Sequence, residues 1–371
     1  MDQCGTGASN PLDCSADLPE TEDFRAVDDY PIERIRACLE RLNADPRLYT
    51  TVLAMDDIDD VRTFLGYAEI NVWGGSYGTR AALVYLKRHE ATVRSAVLDG
   101  VAPTDMRMPL YVARDGQRAL DQLLDDCVRE VACARQFPDL RQTVAGMWVH
   151  LATRPTVQLT HPRTGRRETV TLSQRLVAAV VCQSLYSSEI SALLPRLLTD
   201  AAAGDYQGLL ALAFSGDVPK GAMSEGMFLS VVCAEDVPRV SSDDIARESE
   251  GGFLGRLMLD TRMKPCAFWP RGSVSEDYYA PVISDCPVLI LSGANDPVTP
   301  PSWGDKVAEH LSRAKHFVVP GAGHITLTRE CVPTLVAAFF DAASADGLDG
   351  RCLSSLARPP FFTSYTGPDR P

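Results

Sequence analysis

The sequence predicts an α/β protein whose mostly parallel sheet is interrupted by a long helical insertion, and three observations carry that expectation. A short apolar run turns into a helix through glycines around a serine in "INVWGGSYGTRAALVYL", residues 69 to 85. A second apolar run of strand length ends in turn residues in "CPVLILSGANDPVTPP", residues 286 to 301. Between the two, the apolar spacing becomes helical, as in "LYVARDGQRALDQLLDDCV" and "SQRLVAAVVCQSLY". Strand and helix patterns alternating on either side of such a stretch describe a layered sheet with an insertion.

Taken in order, the first hundred residues hold the helix "DDIDDVRTFLGY", the strand Ile70 to Trp73, a helix with Ala81, Leu83, Val84 and Leu86 on its apolar face, and the strand in "VRSAVLDGVAP". From Asp105 to Asp285 helical spacing dominates, with one hairpin around Val157 to Leu172. The sheet resumes at Cys286 with two strands, the second in "HFVVP", and closes with the helix "VPTLVAAFFDAA". The expected division is a core segment over 1–104, a mainly helical lid over 105–285 and a second core segment over 286–371. A lid above the carboxyl ends of the strands would shape a pocket and exclude water from it. With 371 residues, 45% of them hydrophobic, the chain is long enough to bury roughly three quarters of its unfolded surface.

A strand that turns at once into a helix needs residues that accept a strained backbone, and Gly74, Gly75 and Gly78 meet that need. In a G-x-S-x-G turn the serine hydroxyl is lifted clear of the sheet and the following N–H faces a developing oxyanion. Here those groups are Ser76 and the Tyr77 N–H. A serine hydroxyl is a weak nucleophile at neutral pH, so it needs a base and a group that orients the base. Of six histidines, His89, His150, His161, His310 and His316 read as surface residues at helix ends and turns. His324 differs: it lies in "GAGHI" after a strand, where glycines let a loop present an imidazole at the sheet edge. The plainer reading is a loop histidine. Asp296 follows the strand in "LILSGANDP", at the carboxyl end where open α/β sheets carry their sites. Asp305, on the next helix, is its rival. The chain order Ser76, Asp296, His324 is that of the α/β-hydrolases.

A formal net charge of -13 argues against nucleic acid or an anionic membrane surface as partner, and the basic "HPRTGRRET" reads as a solvated hairpin tip. No apolar run approaches the roughly 18 residues that a bilayer crossing needs. The eleven cysteines lack the spacing of a zinc site, so no metal and no other cofactor is expected. Disulfides formed in an oxidising compartment account for them better.

The stretches "DQCGTGAS", "GGSYGTR", "LILSGANDPVTPP" and "GAGH", with paired cysteines near the end, resemble the tripeptidyl aminopeptidase and proline iminopeptidase group of α/β-hydrolase serine peptidases. The resemblance implies a secreted or periplasmic enzyme that removes a residue or a short peptide from a free amino terminus. It implies Ser76 as nucleophile, His324 as base and Asp296 as its orienter, with lid acids pairing with the substrate ammonium. "VVCAEDVPR" offers Glu235 or Asp236 for that role, Glu235 being the one expected, unless both are solvated loop acids. The disulfides it implies are Cys14 with Cys38, Cys127 with Cys133, Cys233 with Cys266 and Cys331 with Cys352, leaving Cys4, Cys182 and Cys286 free.

Two departures from the group matter. Cys4 stands where the pattern has arginine, and no His-Gly loop occurs that would supply a second oxyanion donor. The opening "MDQCGTGASNPLDC" also lacks the basic and apolar stretches of a secretion signal. The expectation that reconciles these is that residues 1–371 are the later part of a longer exported chain, with Met1 near the end of a strand. Alternatives are a carboxylesterase of the same fold and a catalytically silent relative.

Overall fold

Helix formation ahead of the sheet is set by local capping. The computed structural model describes residues 2–14, 31–214 and 223–369, so the strand end expected at Met1 lies outside the described residues. After α1 (Ile32–Arg41), α2 (Thr51–Phe64) begins at Thr51 rather than at Asp56, because the Thr50 hydroxyl accepts a hydrogen bond from Leu53 N. Strand β1 (Ile70–Gly75) then runs directly into α3 (Tyr77–His89), and β2 (Val93–Asp99) follows.

The insertion comes next. It comprises α4 (Val112–Arg129), α5 (Val131–Gln136), α6 (Leu140–Leu151), the hairpin β3 (Thr156–Thr160) and β4 (Arg167–Thr171), α7 (Gln174–Ser184), α8 (Ser188–Ser191), α9 (Leu194–Ala202), α10 (Gln207–Ala211), α11 (Glu225–Glu235), α12 (Ser242–Ser249) and α13 (Leu257–Met263). Most of it packs around an apolar cluster of its own that includes Leu123, Leu151, Leu176 and Leu198. The sheet then resumes with β5 (Val288–Gly293), α14 (Pro301–Ala308), β6 (Ala314–Val319) and α15 (Val332–Ala342).

Strands β1, β2, β5 and β6 form one parallel sheet in that order. Strand β5 is buried along its whole length, as expected where helices cover both faces of a parallel sheet. Its side chains alternate accordingly: Val288 and Ile290 pack with Leu83 and Leu86 on one face, Leu289 and Leu291 with Val332 and Phe339 on the other. Strand β1 is an edge, so Trp73 stays exposed, as do Phe64, Leu65 and Tyr67 in the segment leading to it. Register sets the site, because Gly75 pairs with Asp99 and Asp99 with Leu291. The chain therefore leaves these three strands at one end of the sheet.

The beginning of the chain packs against the insertion. Leu12 sits against Met227 and Val231 of α11, and Cys14, Ile35 and Cys38 share a cluster with Leu229, Cys233 and Trp269. Disulfides join Cys14 to Cys38, Cys127 to Cys133, Cys233 to Cys266 and Cys331 to Cys352, with Cys4, Cys182 and Cys286 free. No helix among the described residues is long and apolar enough to cross a membrane.

The glycines around Ser76 are not equivalent. A Cβ on Gly74 would lie 2.1 Å from the Gly78 carbonyl oxygen, where β1 and α3 cross, whereas a Cβ on Gly78 would meet nothing within 4 Å. Gly74→Ala is therefore expected to destabilise the protein by about 3 kcal/mol or more through backbone displacement. Gly78→Ala, in the first turn of a helix, should stay within about 0.5 kcal/mol of the parent or gain slightly. Urea denaturation of the two variants checks the contrast.

Candidate active site

Where β1 ends, Ser76 takes φ 54° and ψ -122°, a conformation that a residue with a side chain rarely adopts. Its neighbours hold it there. Ser76 N donates to the Asp99 carbonyl at 2.9 Å, and the Ser76 carbonyl accepts from Thr79 N at 2.9 Å and from the Thr79 hydroxyl at 2.6 Å. The Tyr77 N–H, the next donor along the chain and the first of α3, finds no acceptor among the described residues. The Tyr77 phenol pairs with the Thr51 hydroxyl at 3.0 Å, and burial pushes its pKa up to about 12.

Asp296 lies in the turn after β5 and is fully buried. One carboxylate oxygen accepts from Val298 N and Thr299 N, both at 2.8 Å. The other accepts from the Thr299 hydroxyl at 2.7 Å and faces His324 Nδ1 at 2.8 Å. Burial alone would raise the Asp296 pKa, but the imidazole and these N–H groups hold it below the ordinary carboxylate value. His324 responds in the opposite sense: burial pushes its pKa down, and the Asp296 charge and hydrogen bond overcome that and raise it. Because the carboxylate can only accept, Nδ1 carries the proton in the neutral ring and Nε2 keeps its lone pair.

The structure brings His324 to the end of β2, beside the Ser76 turn. A Cβ on Gly100 would lie 3.3 Å from His324 Cε1, and one on Gly75 3.2 Å from Ile325 Cδ1. No hydrogen bond joins the Ser76 hydroxyl to His324 among those of the described residues, a contact that is commonly long before substrate binds. Ser76, Tyr77 and Thr299 open into a cavity of about 440 Å³ walled by Met108, Val112, Met227, Phe228 and Val231.

Glu235, the residue expected to meet a substrate ammonium, is turned into the interior. Its carboxylate accepts from Thr51 N at 2.6 Å and the Thr51 hydroxyl at 2.9 Å, and also from the Tyr278 phenol. The cavity wall is formed instead by its neighbour Asp236, because adjacent residues at the end of α11 point in different directions. Arg80 links the two acids, donating to both Asp236 oxygens at 3.0 and 2.9 Å and standing 3.7 Å from Glu235. One guanidinium thus faces two buried carboxylates. Burial, with the Glu235 charge beside it, raises the Asp236 pKa to about 6 against the opposing pull of Arg80.

The rival Asp305 belongs to a separate arrangement. It contacts His316 Nδ1 at 2.8 Å, and His316 Nε2 contacts the Ser292 hydroxyl at 2.9 Å. His316, read from the sequence as a surface residue, has a side chain only 9% exposed. Gly304 covers this pair, since a Cβ there would lie 2.7 Å from the imidazole and 2.9 Å from the Ser292 hydroxyl.

Sequence reading missed Thr299, Arg118 and Tyr186. Arg118 of α4 donates to the carbonyls of Asp296 and Ala294, and the Tyr186 carbonyl accepts from His324 N at 2.8 Å. Only Thr299, three residues beyond Asp296, stood in a stretch that could have signalled it, through the turn-forming pattern of Asp with a following hydroxyl residue.

A parallel sheet bearing a strained serine turn, then a buried aspartate and a histidine at its carboxyl edge, in that chain order, is the arrangement of the α/β-hydrolases, and that is the fold of this chain. Residues 252–352 match the family model described as TAP-like protein. The chain is 24% identical over 331 residues to the "Serine protease Hip1" of Mycobacterium tuberculosis and of Mycobacterium bovis, covering 81% of this chain and 61% of each relative. It thus spans about three fifths of the length of these curated relatives. Among solved structures it aligns with a meta-cleavage product hydrolase of Pseudomonas fluorescens IP01 at 16% identity, covering 81% of this chain and 74% of the other, with a TM-score of 0.35. An esterase of Exiguobacterium antarcticum aligns at 15% identity over 82% and 77% of the two chains, with a TM-score of 0.34.

The His324 imidazole should titrate above the ordinary histidine value, because its protonated form is held by Asp296. In Asp296→Asn that charge is gone while burial remains, so the titration should move to lower pH. Following the ring protons by NMR through a pH series checks the sign.

Proposed function

We propose that the chain carries out serine-hydrolase chemistry on peptides with a free amino terminus, as part of an exported protein. What carries the reading is the Asp296–His324 pair, buried and in hydrogen-bond contact, held by Thr299, which lines the same cavity as the strained Ser76 turn. In this reading Ser76 Oγ attacks the scissile carbonyl and His324 Nε2 takes its proton. Asp296 keeps Nδ1 protonated and stabilises the imidazolium, and Thr299 holds the carboxylate in line. The Tyr77 N–H donates to the oxyanion. The imidazolium then protonates the leaving amine, and a water attacks the acyl-enzyme by the same path in reverse.

The free amino terminus is suggested by charge. Arg80 against Glu235 and Asp236 leaves one buried negative charge uncompensated, and an ammonium beside Asp236 would offset it. Glu235 contributes that charge from behind the wall and does not touch the substrate. The relatives named as serine proteases support peptide as the substrate class, and four disulfides support an oxidising compartment. The mostly apolar cavity favours a second reading, a carboxylesterase acting on acyl esters.

A fluorophosphonate probe should label the protein, and Ser76→Ala should abolish labelling. Persistent labelling of that variant removes Ser76 from the chemistry. Aminoacyl and tripeptidyl anilides with free amino groups should be cleaved at least tenfold faster than their acetylated forms, whereas equal rates would favour the esterase reading.

The same assignment predicts a pH effect on KM. As pH falls through about 6 Asp236 takes up a proton, so KM for free-amino substrates should rise there while KM for a neutral ester does not. Steady-state kinetics on both substrates between pH 5 and 8 checks this.

A further inference from the structure

We propose that Asp99 is a positioning residue that fixes the nucleophile turn and the base loop relative to each other. The inference rests on Ser76 and His324 acting as nucleophile and base. Asp99 is the last residue of β2 and is fully buried. Its backbone carbonyl receives Ser76 N at 2.9 Å, the bond that anchors the strained turn from below. Its carboxylate reaches the other way. One oxygen accepts from the Thr326 N–H and the Thr326 hydroxyl at 3.0 and 3.1 Å, and the second from Thr326 N and Leu327 N at 2.8 and 2.9 Å. These donors lie two and three residues beyond His324 in a loop whose intervening Ile325 has φ 68°. Four contacts to one carboxylate thus hold a loop that its own backbone preferences would not maintain.

No lysine or arginine pairs with Asp99 among the described residues. Its negative charge is met by N–H dipoles and by the His324 ring. The groups recorded against that ring are Asp296 and Thr299 from the turn after β5, Asp99 from β2, and Tyr186 from the lid, whose ring stands edge-on at 5.1 Å, with Gly100 at the exit of β2 packed close to it. Arg118 lies behind Asp296. Asp99 is the second anion in this set, and its charge adds to the rise of the His324 pKa.

Asp99→Asn keeps shape but replaces one acceptor oxygen by an NH2 group, which opposes a Thr326 or Leu327 N–H with another donor. Displacement of a reacting group by about 1 Å costs on the order of a hundredfold in rate. In the folded variant kcat on a small activated ester should fall by that order with KM changed less than about twofold. Loss of the charge should also move the acidic limb of the kcat/KM profile to lower pH, because His324 then deprotonates more readily. A purely structural carboxylate would not move that limb. Thr326→Val removes only the hydroxyl donor, and should lower kcat several-fold, with Thr326→Ser restoring it. That pair decides the matter should Asp99→Asn fail to fold. A folded Asp99→Asn with parental kcat and an unshifted limb would overturn the proposal, as would a Thr326→Val of parental activity where Asp99→Asn does not fold. Ser76→Ala, run alongside, separates the two levels: if it keeps hydrolytic activity, the assignment of the nucleophile itself fails, and this inference with it.

Discussion

The buried guanidinium of Arg80 is the contact on which the arrangement of core and lid depends. It sits one helical turn after Ser76 on α3 and reaches Asp236 at the end of α11, while its other terminal nitrogen donates to the carbonyls of Pro103 and Met106 in the segment that leaves β2. A charge taken so far from water is tolerated only when opposite charges and acceptors surround it. Here they come from two separate stretches of chain, both distant from α3 in sequence. The elbow helix, the lid helix and the exit from β2 are therefore fixed to one another by the requirement to solvate a single side chain.

The lid is joined as firmly to the loops that carry Asp296 and His324. Tyr186 and Ser188, at the end of α7 and the start of α8, hold the backbone of His324 and Gly321, and Arg118 of α4 holds the turn containing Asp296. Gly323 allows this approach, since a Cβ there would lie 2.2 Å from the Tyr186 carbonyl oxygen. The insertion that walls the cavity thus also sets the backbone positions of the groups below it. Replacing the lid by another of similar outline would disturb Asp296 and His324 as well as the pocket.

How much of this could be read from the sequence follows from the range of the interactions. The four strands, the turn at Ser76 and the positions of Asp296 and His324 were legible, because apolar runs ending in glycine and proline leave a local signal. The start of α2 at Thr51 was missed because a threonine cap is a weak one. Packing of residues 2–14 against α11 joins positions more than two hundred residues apart, and nothing local announces it. Glu235 and Asp236 are adjacent in sequence and equivalent in chemistry. Which of them meets the cavity depends on where α11 ends and on the reach of Thr51, Tyr278 and Arg80, none of which composition or spacing encodes. His316 was hidden for the same reason, since its partners Asp305 and Ser292 come from α14 and β5.

The second chain of Ser292, His316 and Asp305 bears on how function is sought in such folds. A search by residue type and interatomic distance would return it alongside Asp296 and His324, and its serine–histidine contact is in fact the better formed of the two. Yet Ser292 sits inside β5, fully buried, with Gly304 packed against its hydroxyl. It is a polar pin that joins β5, β6 and α14, and of its three side chains that of Asp305 is the one open to solvent. Connectivity of a hydroxyl, an imidazole and a carboxylate is thus a packing solution that a protein can use for cohesion alone. Recognition of a reactive copy requires the features that pins lack: a nucleophile in a costly conformation, an unclaimed donor next to it, and room for a second molecule.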